Sequence, residues 1–442
     1  MTEKEAFRGK VEKLYSILGC SNQTYNSRTV LYFPMRNHLF EIHTNVETTP
    51  QCAVKSEMPS EISNVTFVNR IFQNLDQANH AEIEALYHDI MGAAVILPSG
   101  EGRSKGALSI ACSEMAKMRG GKLVLDRGDI GFPGRNLMEA APILMQRFGQ
   151  VCLLINSGSG KSLMPLLDAQ HLAMYIAQHG NPRDFRIDVV TSERDSPIGK
   201  LGTKYGNVLL LKGREPDEEP TESKEFRTTG ILEDLFILGT GVLFQSIAEA
   251  LYEEAPAGRV IVRSKELFTE IGSLVDQFVA SDFFKSLVDA LEQRHSCFFV
   301  GLGSGREVAR MTAVRVGHVK RAMGDQIYVA GESNTPAPRA GDVLIVISHS
   351  GETEIVAGWC KNFKRMGALV ASVVGNPDST IAATSDLSFT IKGNGVEGRP
   401  NSFYVKAAFA LSPLPIYLVE KVAERGLRLP EYILRWHHSV TS

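Results

Sequence analysis

An apolar segment that stops abruptly at a run of small polar residues constrains this 442-residue chain more than any other stretch. The apolar residues are 345–347, and the polar run is Ser348-His349-Ser350-Gly351-Glu352-Thr353. This change predicts a buried strand, a tight turn and the start of a helix. Backbone N–H groups and the positive end of the helix dipole would suit an anion of phosphate size. Helix capping by Ser350 or Thr353 is the alternative.

The arrangement occurs twice along the chain and in the same order. In each half, one apolar run ends in a glycine-rich turn, the next ends in a serine-rich turn, and a third polar turn follows. The repetition makes simple helix capping an insufficient explanation, and it predicts an anion site in each half. The candidate residues of the first half are Gly102, Arg103, Ser104, Ser157, Ser159 and Ser162, and those of the second half are Gly303, Ser304, Ser348, His349, Ser350 and Thr353.

Apolar runs alternate with helix-length segments from residue 91 onward, which predicts an α/β fold with parallel sheets. We expect two tandem doubly wound (flavodoxin-like) sheets preceded by a small α+β extension. The predicted boundaries are 1–90 for the extension with its hairpin and helices, 91–254 for the first domain and 260–442 for the second. Residues 255–259, which contain proline and glycine, form the predicted linker. All the turns then lie beyond the carboxyl ends of strands, where ligands of such sheets bind.

Composition and charge argue against several classes of protein. The net charge of −3 gives no reason to expect binding to nucleic acid or to an anionic membrane. We find no uninterrupted apolar run of membrane-spanning length and no signal peptide. The six cysteines form no C-x-x-C pair, and the histidines show no metal-binding spacing. We therefore expect a cytoplasmic protein without metal or cofactor.

Two nucleotide-binding motifs are incomplete. Residues 157–162 end in Gly-Lys-Ser like a Walker A loop, but Ile155 stands where the first glycine is required. The second half has glycine at 301, 303 and 305, but Arg306 stands where a dinucleotide fingerprint needs its third glycine. These mismatches argue against ATP and NAD sites.

The two halves resemble the sugar isomerase (SIS) domain, and most closely the archaeal-type 6-phospho-3-hexuloisomerases. The second half is similar over Gly301-x-Gly303 and over the serine-rich turn at 348–353, and the first half over 100–104 and 157–162. The resemblance implies that each half is a SIS domain and that the serine-rich turn holds the phosphate of a sugar phosphate. It also implies isomerisation through an enediol by acid–base chemistry, without a cofactor.

The chain departs from this family at its catalytic residues. The hexuloisomerases carry a glutamate pair on the helix after the last strand, and residues 402–406 lack it. Glu397 resembles the glutamate that glucosamine-6-phosphate synthase carries after its last strand, and His437 resembles a C-terminal histidine of the hexuloisomerases. We take Glu397 and His437 as the candidate catalytic residues, with an ordinary loop carboxylate and a surface histidine as the alternatives. Glu233 is a weaker candidate for the base.

Two further residues have open roles. Arg103 could contact the substrate phosphate or pair with a neighbouring carboxylate. Glu332 either lines the site or caps a turn. Neither residue decides the reaction, but both belong to the predicted site.

The predicted function is a phosphosugar isomerase that interconverts an aldose and a ketose or two ketoses. We expect a small-molecule sugar phosphate as its partner, no nucleic acid, no membrane, and a homodimer. The alternative is a non-catalytic regulatory protein that binds sugar phosphates, as glucokinase regulatory protein does within the same superfamily. A third possibility is an enzyme with one active half and one degenerate half.

Overall fold

The computed structural model describes residues 61–179, 184–213, 230–293, 295–331, 335–427 and 429–430, with two short strands nearer the N-terminus. The chain forms two compact units, Met1–Pro59 and Ser60–Ser442. In the first unit, β1 (Thr29–Val30) pairs antiparallel with β2 (His43–Thr44). The rest of the predicted hairpin and the predicted helix near the N-terminus lie outside the described residues.

The second unit begins with two helices and then alternates strands and helices. The elements of its first half are α1 (Thr66–Asp76), α2 (His80–Gly92), β3 (Val95–Gly100), α3 (Gly102–Lys117), β4 (Leu123–Val124), α4 (Leu137–Phe148), β5 (Val151–Asn156), α5 (Leu163–His179), β6 (Phe185–Thr191), α6 (Pro197–Tyr205) and β7 (Val208–Leu210).

Three long helices follow, and the alternation then starts again. The elements are α7 (Leu232–Tyr252), α8 (Gly258–Ala280), α9 (Asp282–Glu292), β8 (Cys297–Val300), α10 (Ser304–Ala322), β9 (Ile327–Val329), β10 (Val343–Ser348), α11 (Glu354–Arg365), β11 (Leu369–Val374), α12 (Thr380–Thr384), β12 (Leu387–Thr390), α13 (Phe403–Leu411) and α14 (Leu414–Glu424).

Both halves contain a five-stranded sheet, and the strand order is the same in each. The orders are β4-β3-β5-β6-β7 and β9-β8-β10-β11-β12, and every neighbouring pair of strands is parallel. This is the flavodoxin-like order, in which the chain winds first to one side of the sheet and then to the other. The prediction of two tandem doubly wound sheets is confirmed. The predicted domain boundaries stay predictions, since α1 packs on α7 and α2 packs on β7 within the same compact unit.

The central strands form because their residues are apolar almost without interruption. All six residues of β5 and all six of β10 are buried, as expected for strands covered by helices on both faces. Each sheet has its own core: that of the first half includes Leu153 and Ile176, and that of the second includes Val346 and Phe363.

The sequence-based prediction that no apolar run reaches membrane-spanning length is wrong for helix α7. Residues Glu233–Tyr252 are long and apolar enough to do so, but 89% of the most apolar window is buried inside the protein. Its neighbours are α3, α1 and α8, so the apolar surface is covered on several sides. The composition of α7 therefore matches that of a core helix.

The two halves pack together through α3 and α10, and buried charges lie at this contact. Arg103 donates hydrogen bonds to Asp234 and to the carbonyl oxygen of Met311. Arg315 donates to the same Asp234 oxygen at 2.8 Å and to Glu233 at 2.8 Å. Arg103 therefore pairs with a neighbouring carboxylate, which is one of the two roles considered for it.

Cys152 and Cys297 are fully buried at the starts of their strands, so they act as small core side chains. The Cys152 thiol lies 3.2 Å from a carboxylate oxygen of Asp188, which is also fully buried. The other Asp188 oxygen accepts a hydrogen bond from the Asn207 amide at 2.9 Å. Burial, and next the negative charge of Asp89, raise the pKa of Asp188 to about 7.

Because the pKa of Asp188 is raised in the folded protein, we expect the protein to lose stability as the pH rises. An aspartate of the unfolded chain has a pKa of about 3.9, so between about 4 and 7 the folded state binds the extra proton. The free energy of unfolding should then fall by up to about 1.4 kcal/mol per pH unit in that window. We expect Asp188→Asn to lack this loss, so that it gains stability relative to the wild type between pH 5 and 8 in urea unfolding.

Asp282→Asn is the control for this experiment, because Asp282 is 99% exposed and pairs with Lys285 on the surface at 3.5 Å. If wild type and Asp188→Asn differ in their free energy of unfolding by the same amount at pH 5 and at pH 8, the prediction is contradicted.

Candidate functional site

The serine-rich turn of the second half opens onto a cavity of about 130 Å³. It lies where β10 ends, beside the end of β8. The chain leaves these two neighbouring strands toward opposite sides of the sheet, and this is where doubly wound sheets bind ligands. The lining residues are Leu302, Ile347, Ser348, His349, Ser350, Thr353, Val356 and Tyr404.

The hydroxyl groups of this turn are not used as simple helix caps. Ser348 Oγ accepts a hydrogen bond from the Gly351 amide, and Ser350 Oγ accepts one from the Glu352 amide, both at 3.2 Å. Thr353 is the N-cap residue of α11, but its side chain makes no capping hydrogen bond. The hydroxyls of Ser348 and Ser350 therefore shape the turn, and Ser348, Ser350 and Thr353 all line the cavity.

A glycine in each serine-rich turn packs against the serine of the third turn. Gly351 has a φ of 66°, and a Cβ there would lie 2.0 Å from Ser379 Oγ. Gly160 has a φ of 59°, and a Cβ there would lie 1.9 Å from Ser196 Oγ. Ser379 and Ser196 in turn cap α12 and α6. The predicted correspondence between the halves therefore extends to individual atoms.

In the equivalent turn of the first half, the helix N-terminus has a carboxylate of the protein as its partner. Glu101 Oε1 accepts a hydrogen bond from the Met164 amide in the first turn of α5, at 2.8 Å. The buried ring of Phe236 lies 3.2 Å from where a Cβ on Gly158 would be. At the position that corresponds to Glu101, the second half has Leu302, which lines the cavity. A carboxylate thus holds the helix N-terminus in one half, and the other half leaves it open.

Two side chains of the cavity are uncharged at neutral pH. Burial lowers the pKa of His349, and the negative charge of Glu114 partly offsets this effect. Burial, and next the charge of Glu114, raise the pKa of Tyr404 to about 12. The His349 ring packs edge-on against Phe403, 5.2 Å between centroids, and closely against the backbone of Gly393. A neutral imidazole and a phenol therefore face the open space.

Glu114, which our sequence analysis did not identify, lies beside this site although it belongs to the first half. It sits in the last turn of α3 and is buried. Its carboxylate accepts hydrogen bonds from Ser304 Oγ at 3.1 Å and from the Asn401 amide at 2.9 Å, and pairs with Lys117 at 3.3 Å. The corresponding position of the second half is Arg315, and this mismatch between the repeats was the available signal.

The glycine-rich turns start α3 and α10 in equivalent ways. Gly102 and Gly303 have φ values of 53° and 55°, a conformation that favours glycine, at the N-terminus of each helix. Ser104 uses its carbonyl oxygen to accept a hydrogen bond from Asn156. Ser304 contacts Glu114, as described above. In the serine-rich turn of the first half, the hydroxyls of Ser157 and Ser162 lie 3.2 Å apart, and Ser159 Oγ accepts from the Lys161 amide.

The candidate base Glu397 is not part of the cavity wall. Glu397 is exposed on the loop between β12 and α13 and does not line the cavity. Its neighbour Arg399 anchors that loop to α7 through Glu253, at 2.8 Å. Glu332 and His437 lie outside the described residues. Within the described ranges, no group of three or more His, Cys, Asp or Glu side chains is arranged to hold a metal ion.

Sequence comparison finds relatives over short stretches of the chain, while no family model matches it. A 3-hexulose-6-phosphate isomerase of Mycobacterium gastri is 40% identical over 89 residues, 20% of this chain and 43% of that protein. The enzyme of the same name from Methylomonas aminofaciens is 36% identical over 113 residues, 26% of this chain and 59% of that protein. An uncharacterised protein of Archaeoglobus fulgidus is 34% identical over 107 residues, or 24% and 56% of the two chains. The chain thus matches about half the length of these relatives.

Structural comparison covers most of the chain. Tagatose-6-phosphate ketose/aldose isomerase from Escherichia coli has a TM-score of 0.51 and 10% identity, over 83% of this chain and 95% of that one. The C-terminal domain of glucosamine-fructose-6-phosphate aminotransferase from Francisella tularensis has a TM-score of 0.50 and 11% identity, over 82% and 97%. At such low identity these likenesses show the fold alone.

Gly351→Ala tests the geometry of the serine-rich turn. The substitution puts an alanine at positive φ, which costs roughly 1–2 kcal/mol, and drives its Cβ into Ser379 Oγ. We expect the free energy of unfolding to fall by at least about 2 kcal/mol in urea unfolding. Gly358→Ala is the matched control: it lies inside α11 with nothing within 4 Å of its Cβ, and should raise stability by about 0.5–1 kcal/mol. Equal effects of the two substitutions would contradict the strained turn.

Proposed function

Because the chain is built as two sugar isomerase (SIS) domain folds in tandem and is related to the 3-hexulose-6-phosphate isomerases, we propose that it isomerises a sugar phosphate bound at the second-half turn. The observation that carries the proposal is the open cavity above the Ser348–Thr353 turn, at the strand ends where doubly wound sheets bind ligands. Its relatives supply the chemical class of the ligand.

The cavity suits the phosphate end of such a ligand. Its volume of about 130 Å³ is below the ~300 Å³ or more of a pocket for a whole small molecule. Serine and threonine hydroxyls and the amides at the N-terminus of α11 provide donors for an anion without a positively charged side chain. The sugar would then extend from the cavity toward Leu302 and Tyr404.

The proposed reaction moves a proton between neighbouring carbon atoms. A base removes the proton from the hydroxyl-bearing carbon next to the carbonyl group, and the carbonyl oxygen takes up a proton, which gives the enediol. The base then delivers a proton to the former carbonyl carbon, while the hydroxyl group on the neighbouring carbon loses its proton and becomes the new carbonyl group. His349 and Tyr404, both neutral at pH 7, are suited to donate hydrogen bonds to the oxygens on which charge develops. Glu397 remains the proposed base, with His437 as its proposed partner in proton transfer.

We further propose that each chain has one phosphosugar site. Glu101 already accepts a hydrogen bond from an amide of α5 in the first half, and Phe236 packs beside Gly158, the residue that corresponds to His349. A phosphate would have to displace a carboxylate there and would meet its negative charge. Titration calorimetry with a bound sugar phosphate should therefore give one site per chain, and two equal sites would contradict this.

A regulatory protein that binds sugar phosphates without converting them is the second candidate. It is favoured by the exposed position of Glu397 and by the absence of that residue from the cavity wall. In both candidates the cavity binds the phosphate, so binding alone does not separate them.

Proton NMR in D₂O separates the two candidates. A panel of hexose and hexulose 6-phosphates is incubated with the protein, and product signals and deuterium uptake at the carbons next to the carbonyl group are followed. The isomerase incorporates deuterium even into substrate that returns from the enediol unchanged. A sugar phosphate that raises the melting temperature without deuterium uptake or product would overturn the isomerase and leave the regulatory protein.

Ser350→Ala and Ser159→Ala form a matched pair that tests which turn is used. Ser350 lines the open cavity, and Ser159 occupies the same position in the serine-rich turn of the first half. Loss of a hydrogen bond to a charged group costs about 1.5–3 kcal/mol, so we expect Ser350→Ala to lower kcat/KM roughly 10- to 100-fold. Ser159→Ala should lower the melting temperature slightly and keep kcat/KM within about twofold. Similar losses of activity from both substitutions would contradict a single site.

A further inference from the structure

We propose that Glu114 of the first half is a positioning residue of the second-half site, so that this site is complete only when both halves are joined. The inference rests on the proposed function of that site and extends it. It assigns a role to a buried carboxylate that the proposed reaction does not otherwise use.

The Glu114 carboxylate connects two walls of the site. One oxygen accepts the hydrogen bond from Ser304, the first residue of α10, which follows the glycine-rich turn of the second half. The other oxygen accepts the hydrogen bond from the Asn401 amide, just before α13 and its cavity residue Tyr404. A single side chain therefore sets the distance between the start of α10 and the start of α13.

Other atoms of α3 also reach this region. A Cβ built on Gly303 would lie 4.0 Å from Lys117 Nζ, and Lys117 pairs with Glu114. The amide of Arg119, just beyond α3, donates to the carbonyl oxygen of Gly398 on the loop that precedes α13. The C-terminal end of α3 thus contacts both segments that border the second-half site.

The equivalent residue of the other half does a different task. Arg315 lies as many residues after Gly303 as Glu114 lies after Gly102. Arg315 is held by Asp234 and Glu233 at the start of α7, next to Arg103. On the side of the first half, this position therefore forms ion pairs between side chains. On the side of the second half, the equivalent residue Glu114 holds two segments of the open site.

Glu114 also acts on the cavity through its charge. Its carboxylate raises the pKa of His349 and thereby opposes the lowering by burial. It also raises the pKa of Tyr404, where it adds to the effect of burial. Both side chains are the neutral donors of the proposed reaction. Other charged residues on the segments around His349 include Glu352 in its own turn, Lys117 on α3, Arg306 on α10, and Lys392, Glu397 and Arg399 on the loop before α13.

Glu114→Gln and Glu114→Asp separate the charge from the contact. Glu114→Gln keeps the shape and removes the charge, and we expect the pKa of His349 to fall further in an NMR titration. Glu114→Asp keeps the charge, so His349 should titrate as in the wild type, but the shorter side chain cannot reach both Ser304 and Asn401. For both variants we expect kcat to fall roughly 10- to 100-fold, with KM within about threefold because the turn still holds the phosphate.

Glu139→Gln is the control, since Glu139 lies on the surface of the first half and pairs with Arg135. It should change neither kcat nor the titration of His349. If Glu114→Gln fails to fold, Glu114→Asp still tests the contact, and a wild-type kcat in that variant overturns the proposal.

The titration of His349 does not depend on turnover, which keeps the two proposals apart. An unchanged pKa of His349 in folded Glu114→Gln overturns the role of Glu114, whatever the activity of the wild type. Wild-type protein that neither binds nor converts any sugar phosphate overturns the proposed function instead. In that case, a lowered pKa of His349 in Glu114→Gln would still support the contact between the halves.

Discussion

The contact between α3 and α10 is the constraint on which the rest of this structure depends. Arg103 and Arg315 come from different halves and share Asp234, and all three side chains are almost completely buried. Removing one partner from such a buried group costs about 3–5 kcal/mol, because it leaves a charge without compensation. This ion-pair group fixes how the two sheets face each other. It thereby also fixes how far the end of α3 reaches into the second half.

The same contact makes two similar halves unequal. The strand order, the positive-φ glycines and the serine that packs against each serine-rich turn are repeated. Single residues then change the outcome: Glu101 accepts a hydrogen bond from an amide at one helix N-terminus, whereas Leu302 stands at the equivalent position and lines the cavity of the second half. A carboxylate satisfies the same amide donors that would bind a phosphate, so one substitution is enough to close a site of this kind.

Much of the fold could be predicted because parallel strands that are covered on both faces have sequences of uninterrupted apolar residues. The apolar runs of β5 and β10 end close to where these strands end in the structure. The turns could be recognised for the same local reason, since the chain needs glycine at positive φ and serine at helix starts. Arg103 shows the limit of this reasoning. Its sequence context allowed a phosphate or a carboxylate as partner, and only the position of Asp234 on α7 decided between them.

The sequence by itself determined two doubly wound sheets and the placement of small polar turns at their carboxyl edges, because these depend on local periodicity and backbone conformation. The tertiary structure decided which turn is open, where Glu114 lies and which side chains are neutral in the cavity. These features depend on residues that are far apart in the chain and meet only after packing. Burial and neighbouring charge, which set the behaviour of His349 and Tyr404, do not exist before the two halves are in contact.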